Sequence, residues 1–128
     1  MLKQQKMVQK FHEIFKHPVC NTPTMIKSER ANARADWMRE EIEEFLEAKD
    51  IVEQADAMGD LLYFCLGSCV EMGVDIEPIF EIIQQSNMNK IWSDGTVHYR
   101  ESDGKVAKPE GWQAPEPQIE AEIKRQMI

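Results

Sequence analysis

The sequence predicts an all-α fold: a four-helix-bundle-like core over residues 3–92, with a small peripheral β-hairpin and tail over 93–128 near the C-terminus. Three observations predict it. Apolar residues recur at spacings of three and four through four successive stretches, the pattern of helices that each bury one face. Prolines follow the first of those stretches and a glycine closes the third. Beyond residue 92 the pattern changes, and two Asp-Gly pairs, Asp94-Gly95 and Asp103-Gly104, stand around short β-prone runs.

The first helix covers residues 3–16, where Met7, Val8, Phe11, Ile14 and Phe15 fall near one face, and "HPVCNTPT" breaks it with Pro18 and Pro23. A second starts after Ser28, a good N-cap, carries a stripe of Ala31, Ala35, Met38, Ile42, Phe45 and Leu46, and ends near Asp50. The third, about 51–72, is apolar nearly all round from Ala57 onward and closes at Gly73. A helix of that kind must be buried on several sides. The fourth is capped by Asp75, tolerates Pro78 in its first turn, turns Ile76, Ile79, Phe80 and Ile83 inward and reaches about Lys90. The runs 96–100 and 105–108 make the hairpin, and "PQIEAEIKRQMI" makes a final short helix.

A chain of 128 residues with 42% hydrophobic content supplies one core, hence a single domain over 1–128. With 15 Lys and Arg against 23 Asp and Glu, the net charge of -8 disfavours a nucleic-acid polymer as partner, because phosphate affinity needs clustered cations. The apolar stretches stop short of the roughly 18 residues that a membrane span needs, and the N-terminus lacks an apolar signal core. The expectation is a soluble cytoplasmic protein. Cys65 and Cys69 lie one helical turn apart without CxxC spacing and read as small core residues. The third helix has more apolar surface than three neighbours cover. The excess, Leu62, Cys65, Leu66, Cys69 and Val70 with Met58 and Met72, predicts a homo-oligomer, a homodimer at least or a homotetramer.

Acids crowd the second and third helices. Glu41 and Glu44 share a flank of the second helix with Trp37 and Ala48, whereas Glu43 and Glu47 point to water. On the third, Glu53, Asp56 and Asp60 form one stripe, and "LLYFCL" follows Asp60 at once, so Asp60 enters the apolar section. A lone buried carboxylate costs several kcal/mol, and such an acid is paired with a cation or a metal. Arg30, Arg34, Arg39 and Lys90 are the available cations. If Glu41, Glu44, Asp56 and Asp60 converge instead, they repel one another unless a divalent ion neutralises them, and all-oxygen ligation points to Mg²⁺ or Mn²⁺. No Glu-x-x-His pair exists for a di-iron site. The inward stripe of the fourth helix continues to Asn87 and Lys90, which predicts an amide and an ammonium facing inward beside the acids, suited to phosphate.

The run "EEIEE" at 40–44 matches the EExxE motif of the all-α nucleoside triphosphate pyrophosphohydrolases, the MazG-like and phosphoribosyl-ATP pyrophosphohydrolase-like superfamily. "EQADAMGDLLYF" is similar to that superfamily's ExxD-bearing helix. "SNMNKIWSDGTVHYRESDGKVAKPEGW" resembles the Asn-Met-x-Lys segment and Asp-Gly-rich hairpin of a MazG-like subgroup, and "FHEIFKHPVCNTPT" its opening helix and loop. The resemblance covers about residues 7–116. It implies a Mg²⁺-dependent hydrolase that cleaves a nucleoside triphosphate between the α and β phosphates, with Glu41 and Glu44 as metal ligands and Asp60 in the place of the ExxD aspartate. Ala57 stands three before Asp60, so the second acid of that motif comes from Asp56 or from Glu53. Glu40 takes the place of a candidate general base. Lys90 and Asn87 face the phosphates, Trp37, Phe15 and the loop 17–24 face the base or sugar, and Tyr99, Arg100, Lys105 and Lys108 give the hairpin a cationic face toward the phosphates. The alternative is an acidic adaptor that has lost its enzyme site, a reading to which Ala57 lends weight.

Overall fold

The computed structural model describes residues 1–128 and contains five helices and no strands. They are α1 (Lys3–Phe15), α2 (Ser28–Glu47), α3 (Ile51–Met72), α4 (Ile76–Met88) and α5 (Glu116–Gln126). The chain divides into two compact units, Met1–Ile76 with Met127, and Glu77–Gln126 with Ile128.

In the first unit α3 is central and packs against both α1 and α2. Its limits follow from local chemistry. The Asp50 carboxylate accepts the N–H of Glu53 at 2.9 Å, and the Glu53 carboxylate reaches back to accept the N–H of Lys49 at 2.8 Å, so two orphan donors at the helix start are satisfied. At the other end Gly73 adopts a left-handed conformation (φ 67°), and a Cβ there would lie 2.4 Å from the Thr22 carbonyl oxygen. Only glycine suits that position. The loop after α1 lies along this end, with Cys20 N–H donating to the Val70 carbonyl and Thr24 N–H to that of Met72.

The apolar centre is Val8, Leu66 and Val70, with Val19 and Ile76 against it. The stripe expected on α1 is only partly used: Val8 is buried, but Met7, Ile14 and Phe15 are exposed. Gln5 and His12 are buried in their stead. The reason is that α1 meets backbone groups needing partners. Gln5 Nε2 donates to the Val74 carbonyl at 2.7 Å while its Oε1 accepts the N–H of Ile76 at 3.1 Å, and His12 Nδ1 pairs with the Pro18 carbonyl at 2.9 Å.

Between α2 and α3 lies a buried ionic network. The Arg34 guanidinium donates to Glu71 at 2.5 Å, to Ser68 Oγ at 2.8 Å and to the Phe64 carbonyl at 3.0 Å, and Arg30 donates two further bonds to Glu71. Arg34 and Glu71 are 3% and 4% exposed, so each charge depends on the other. A Cβ on Gly67 would lie 2.2 Å from Arg34 Nη2 and 2.9 Å from His12 Nε2, which makes this glycine the seat of the guanidinium. Arg34 and Arg30 also lie over the Trp37 ring at 5.5 and 5.3 Å.

The second unit holds α4 beyond Ile76, the segment 89–115, and α5. The compact helical body of the first unit is thus three helices, and the fourth helix of the expected bundle belongs to the second unit. The expected β-hairpin is not formed. One isolated antiparallel bridge joins Tyr99 and Val106, with Arg100 N–H bonded to the Lys105 carbonyl and Ala107 N–H to that of His98. Val97, Tyr99 and Val106 are all exposed, so the runs have no apolar face to bury, and two strands alone are marginal. The Asp-Gly turns themselves are present, with Asp94 and Asp103 accepting the N–H groups of Thr96 and Lys105 and Gly95 and Gly104 at positive φ. Trp92 Nε1 donates to the Ala107 carbonyl and Trp112 Nε1 to that of Ser86. The tail helix expected at the C-terminus is α5.

Candidate active site

Residues 41 and 44 are one turn apart on α2, and 56 and 60 one turn apart on α3. Because α2 packs on α3, the two pairs meet. One ligand oxygen from each of Glu41, Glu44 and Asp60 can be chosen so that all three lie within 4.8 Å of one another. Glu41 is half-buried, and its Oε2 is buried with no hydrogen-bond partner. Burial, and then the neighbouring Glu44, Asp60 and Asp56, push its carboxyl up to about 7. The Asp60 carboxyl is also raised, by desolvation first and by Asp56 and Glu44 next.

None of the cations considered as partners for Asp60 reaches it by an ion pair. Arg30 and Arg34 are held by Glu71, Arg39 pairs with Asp36, and the Lys90 ammonium lies over the Trp112 ring at 5.4 Å in the second unit. Asp60 is nevertheless exposed, contrary to the expectation that it enters the core. The buried face of α3 runs through Ala57, Leu66 and Val70, and Asp60 stands to its side among other acids. Ala57 is 1% exposed and has no room for the motif's acid. The charge of Asp56 acts on Glu41 and Asp60, whereas Glu53 caps α3. Both line an adjoining cleft of about 270 Å³ with Glu44 and Glu47, a wall made of carboxylates alone. Glu47 was expected to face away. Its spacing of three from Glu44 continues the line from Glu41, the signal that marks it.

The remaining candidates are distributed as follows. Glu40 is exposed beside Glu41. Trp37 packs against Phe64 at 5.8 Å beneath the two arginines, and Phe15 stacks on Phe11 at 4.4 Å. Loop 17–24 braces the end of α3 at Val70 and Met72, about 15 Å along the helix from Asp60 at about 1.5 Å per residue. In the second unit Asn87 is exposed, not inward-facing as expected, because the buried positions of α4 are Ile79 and Ser86. Lys108 lies over Trp112 at 4.6 Å, Arg100 is paired with Asp103, and Tyr99 and Lys105 are exposed. The Arg34–Glu71 network and the Gly67 seat escaped the sequence reading, since neither leaves a local motif.

The donor set suits a hard divalent cation: carboxylate oxygens on two packed helices, one of them a buried orphan, with no competing ammonium or guanidinium. Comparison with known proteins agrees in kind. The sequence profile of the family described as phosphoribosyl-ATP pyrophosphohydrolase matches residues 8–87. Among solved structures, a candidate NTP pyrophosphohydrolase from Exiguobacterium sp. 255-15, determined at 1.78 Å, is similar at 36% identity and a TM-score of 0.55, over 98% of this chain and 96% of that one. No curated protein sequence matches. The matched segment spans the EExxE helix, the helix of Asp56 and Asp60 and all but the last residue of α4, and the chain belongs to the phosphoribosyl-ATP pyrophosphohydrolase family, enzymes that hydrolyse pyrophosphate bonds.

Proposed function

We propose that the protein is a Mg²⁺-dependent nucleoside triphosphate pyrophosphohydrolase, with Mn²⁺ as a substitute, that cleaves between the α and β phosphates to release a nucleoside monophosphate and pyrophosphate. The observation that carries this reading is the triad of Glu41, Glu44 and Asp60 within 4.8 Å, with no Lys or Arg in an ion pair with it. Three carboxylates that close repel at neutral pH, and the buried Glu41 Oε2 lacks any protein donor. In this reading Glu41, Glu44 and Asp60 hold the ion and Asp56 is the fourth ligand, because Glu53 is engaged in capping. The ion, when bound, neutralises phosphate charge and acidifies water. Glu40, exposed next to the triad, accepts the proton of the attacking water. Lys90, Lys105 and Lys108 are the proposed phosphate contacts, whereas Arg100 is engaged by Asp103. The test is pyrophosphate release from a panel of ribo- and deoxyribonucleoside triphosphates with Mg²⁺ and with chelator. Release from none of them, or release indifferent to chelator, refutes the proposal.

The assembly belongs to the same proposal. Met58, Leu62 and Cys65 on α3 and Leu46 on α2 are exposed, which supports a homodimer or homotetramer that covers them, while Leu66, Cys69 and Val70 are already buried within the chain. A monomeric mass in light scattering at micromolar concentration refutes it. No single helix is long and apolar enough to cross a membrane, and we place the enzyme in the cytoplasm.

A further inference from the structure

The second unit contains a cleft of about 720 Å³, within the size range of small-molecule sites. Two indoles, Trp92 and Trp112, line it, together with the amides of Asn89, Gln113 and Gln118. Ser86 also lines it, from the buried face of α4. Its Oγ is buried and has no hydrogen-bond partner, although buried polar groups are normally satisfied. Trp112 is held in place by its Nε1 bond to the Ser86 carbonyl at 2.9 Å, and Trp92 by its bond to Ala107 and its ring contact with His98 at 4.0 Å. The walls are thus anchored aromatics between groups that both donate and accept.

The charge of the lining narrows the ligand class. Glu110 is its one ionisable residue, and no Lys, Arg or His lines the cleft. The nearest cations, the ammonium groups of Lys90 and Lys108, lie against the Trp112 ring at 5.4 and 4.6 Å but outside the lining, so the interior itself is matched to a neutral planar heterocycle, with indole walls to pack against and amides for its edge. We propose that this cleft is a nucleobase-binding site. The choice of a base over a sugar ring rests on the nucleotide-hydrolase reading above. The cleft itself requires nothing of the carboxylate triad.

The test is titration of the full-length protein, in chelator, with adenosine, guanosine, cytidine and thymidine and with ribose 5-phosphate, followed by calorimetry and tryptophan fluorescence. The expected result is saturable binding of at least one nucleoside, at least tenfold tighter than ribose 5-phosphate. Trp112→Leu is expected to weaken it tenfold or more, as loss of one base–aromatic stack does. Gln113→Ala and Gln118→Ala, which alter exposed side chains and leave the fold intact, are expected to change the ranking of the four bases. Absence of nucleoside binding to the wild type, equal affinity for ribose 5-phosphate, or affinity and ranking unmoved in both glutamine variants overturns the proposal. Failure of pyrophosphate release with nucleoside binding intact counts only against the triad.

Discussion

Glu41→Gln in the metal-free protein isolates the repulsion within the triad. The Glu41 carboxyl rises from its ordinary 4.5 to about 7 through burial, then a hydrogen bond with Glu44, and then the charges of Glu44, Asp60 and Asp56. At about 1.4 kcal/mol per pH unit, a rise of that size corresponds to at most about 3.5 kcal/mol. Glu44 and Asp60 are exposed, so water screens their contribution and leaves about 1 kcal/mol. The sign follows from linkage. A carboxyl whose folded value is raised contributes stability that is complete below 4.5 and is lost as pH rises through about 7. In chelator, Glu41→Gln is therefore expected to match the wild type at pH 5 and to melt about 4 °C higher at pH 8, at about 4 °C per kcal/mol for a chain of this size. With Mg²⁺ at a hundred times its Kd the order reverses, since binding adds about 2.7 kcal/mol to the wild type and much less to a variant that lacks a ligand. Thermal unfolding by circular dichroism, with and without metal, reads both. A variant that melts lower than wild type in chelator at pH 8 would show Glu41 to be a structural acid and refute the reasoning.

Further outcomes follow from the triad and from other parts of the structure. Asp60→Asn is expected to lower pyrophosphate release a hundredfold or more, about 3 kcal/mol of transition-state stabilisation, with no fall in Tm in chelator; a large fall would mark Asp60 as structural. Glu71→Gln leaves the Arg34 guanidinium buried without its anion and is expected to cost about 3–5 kcal/mol, so a Tm change of only a few degrees counts against the network. Burial alone raises the Glu71 carboxyl, but Arg30 and Arg34 outweigh it and hold it below 4.5; that stability is present above 4.5 and lost as pH falls through the lowered folded value, a limb that Glu71→Gln should flatten. Gly67→Ala is expected to destabilise by about 1–3 kcal/mol because its Cβ meets a guanidinium held by three acceptors. Gly59→Ala on the same helix meets nothing within 4 Å and is expected to stabilise by about 0.5–1 kcal/mol; equal signs for the two would refute the clash argument.

The helices, the closing glycine of α3 and the acid stripes were legible in the sequence because each is a local property, whereas Ser28, expected as the N-cap of α2, is its first residue and no side chain caps that end. The period of the apolar residues, Gly73 after Met72 and the spacing of 41, 44, 56 and 60 act over one or two helical turns. The Asp-Gly turns are of the same kind. Their local closure by Asp94 and Asp103 was decided by neighbouring residues, but the strands between them needed a covered face, and the tertiary structure supplies none. Only the packing of α2 on α3 could decide which acids meet. It brought Glu41, Glu44 and Asp60 together, drew Glu53 into a cap and gave Arg30 and Arg34 to Glu71 instead of Asp60. Burial of Gln5, His12 and Arg34 was equally beyond the periodicity, since a polar side chain enters a core only where a distant backbone carbonyl, hydroxyl or carboxylate satisfies it. The partners of Gln5 and Arg34 lie tens of residues away along the chain, and the fold alone brings them within 3 Å, while that of His12, Pro18, lies six residues on, just past the end of α1.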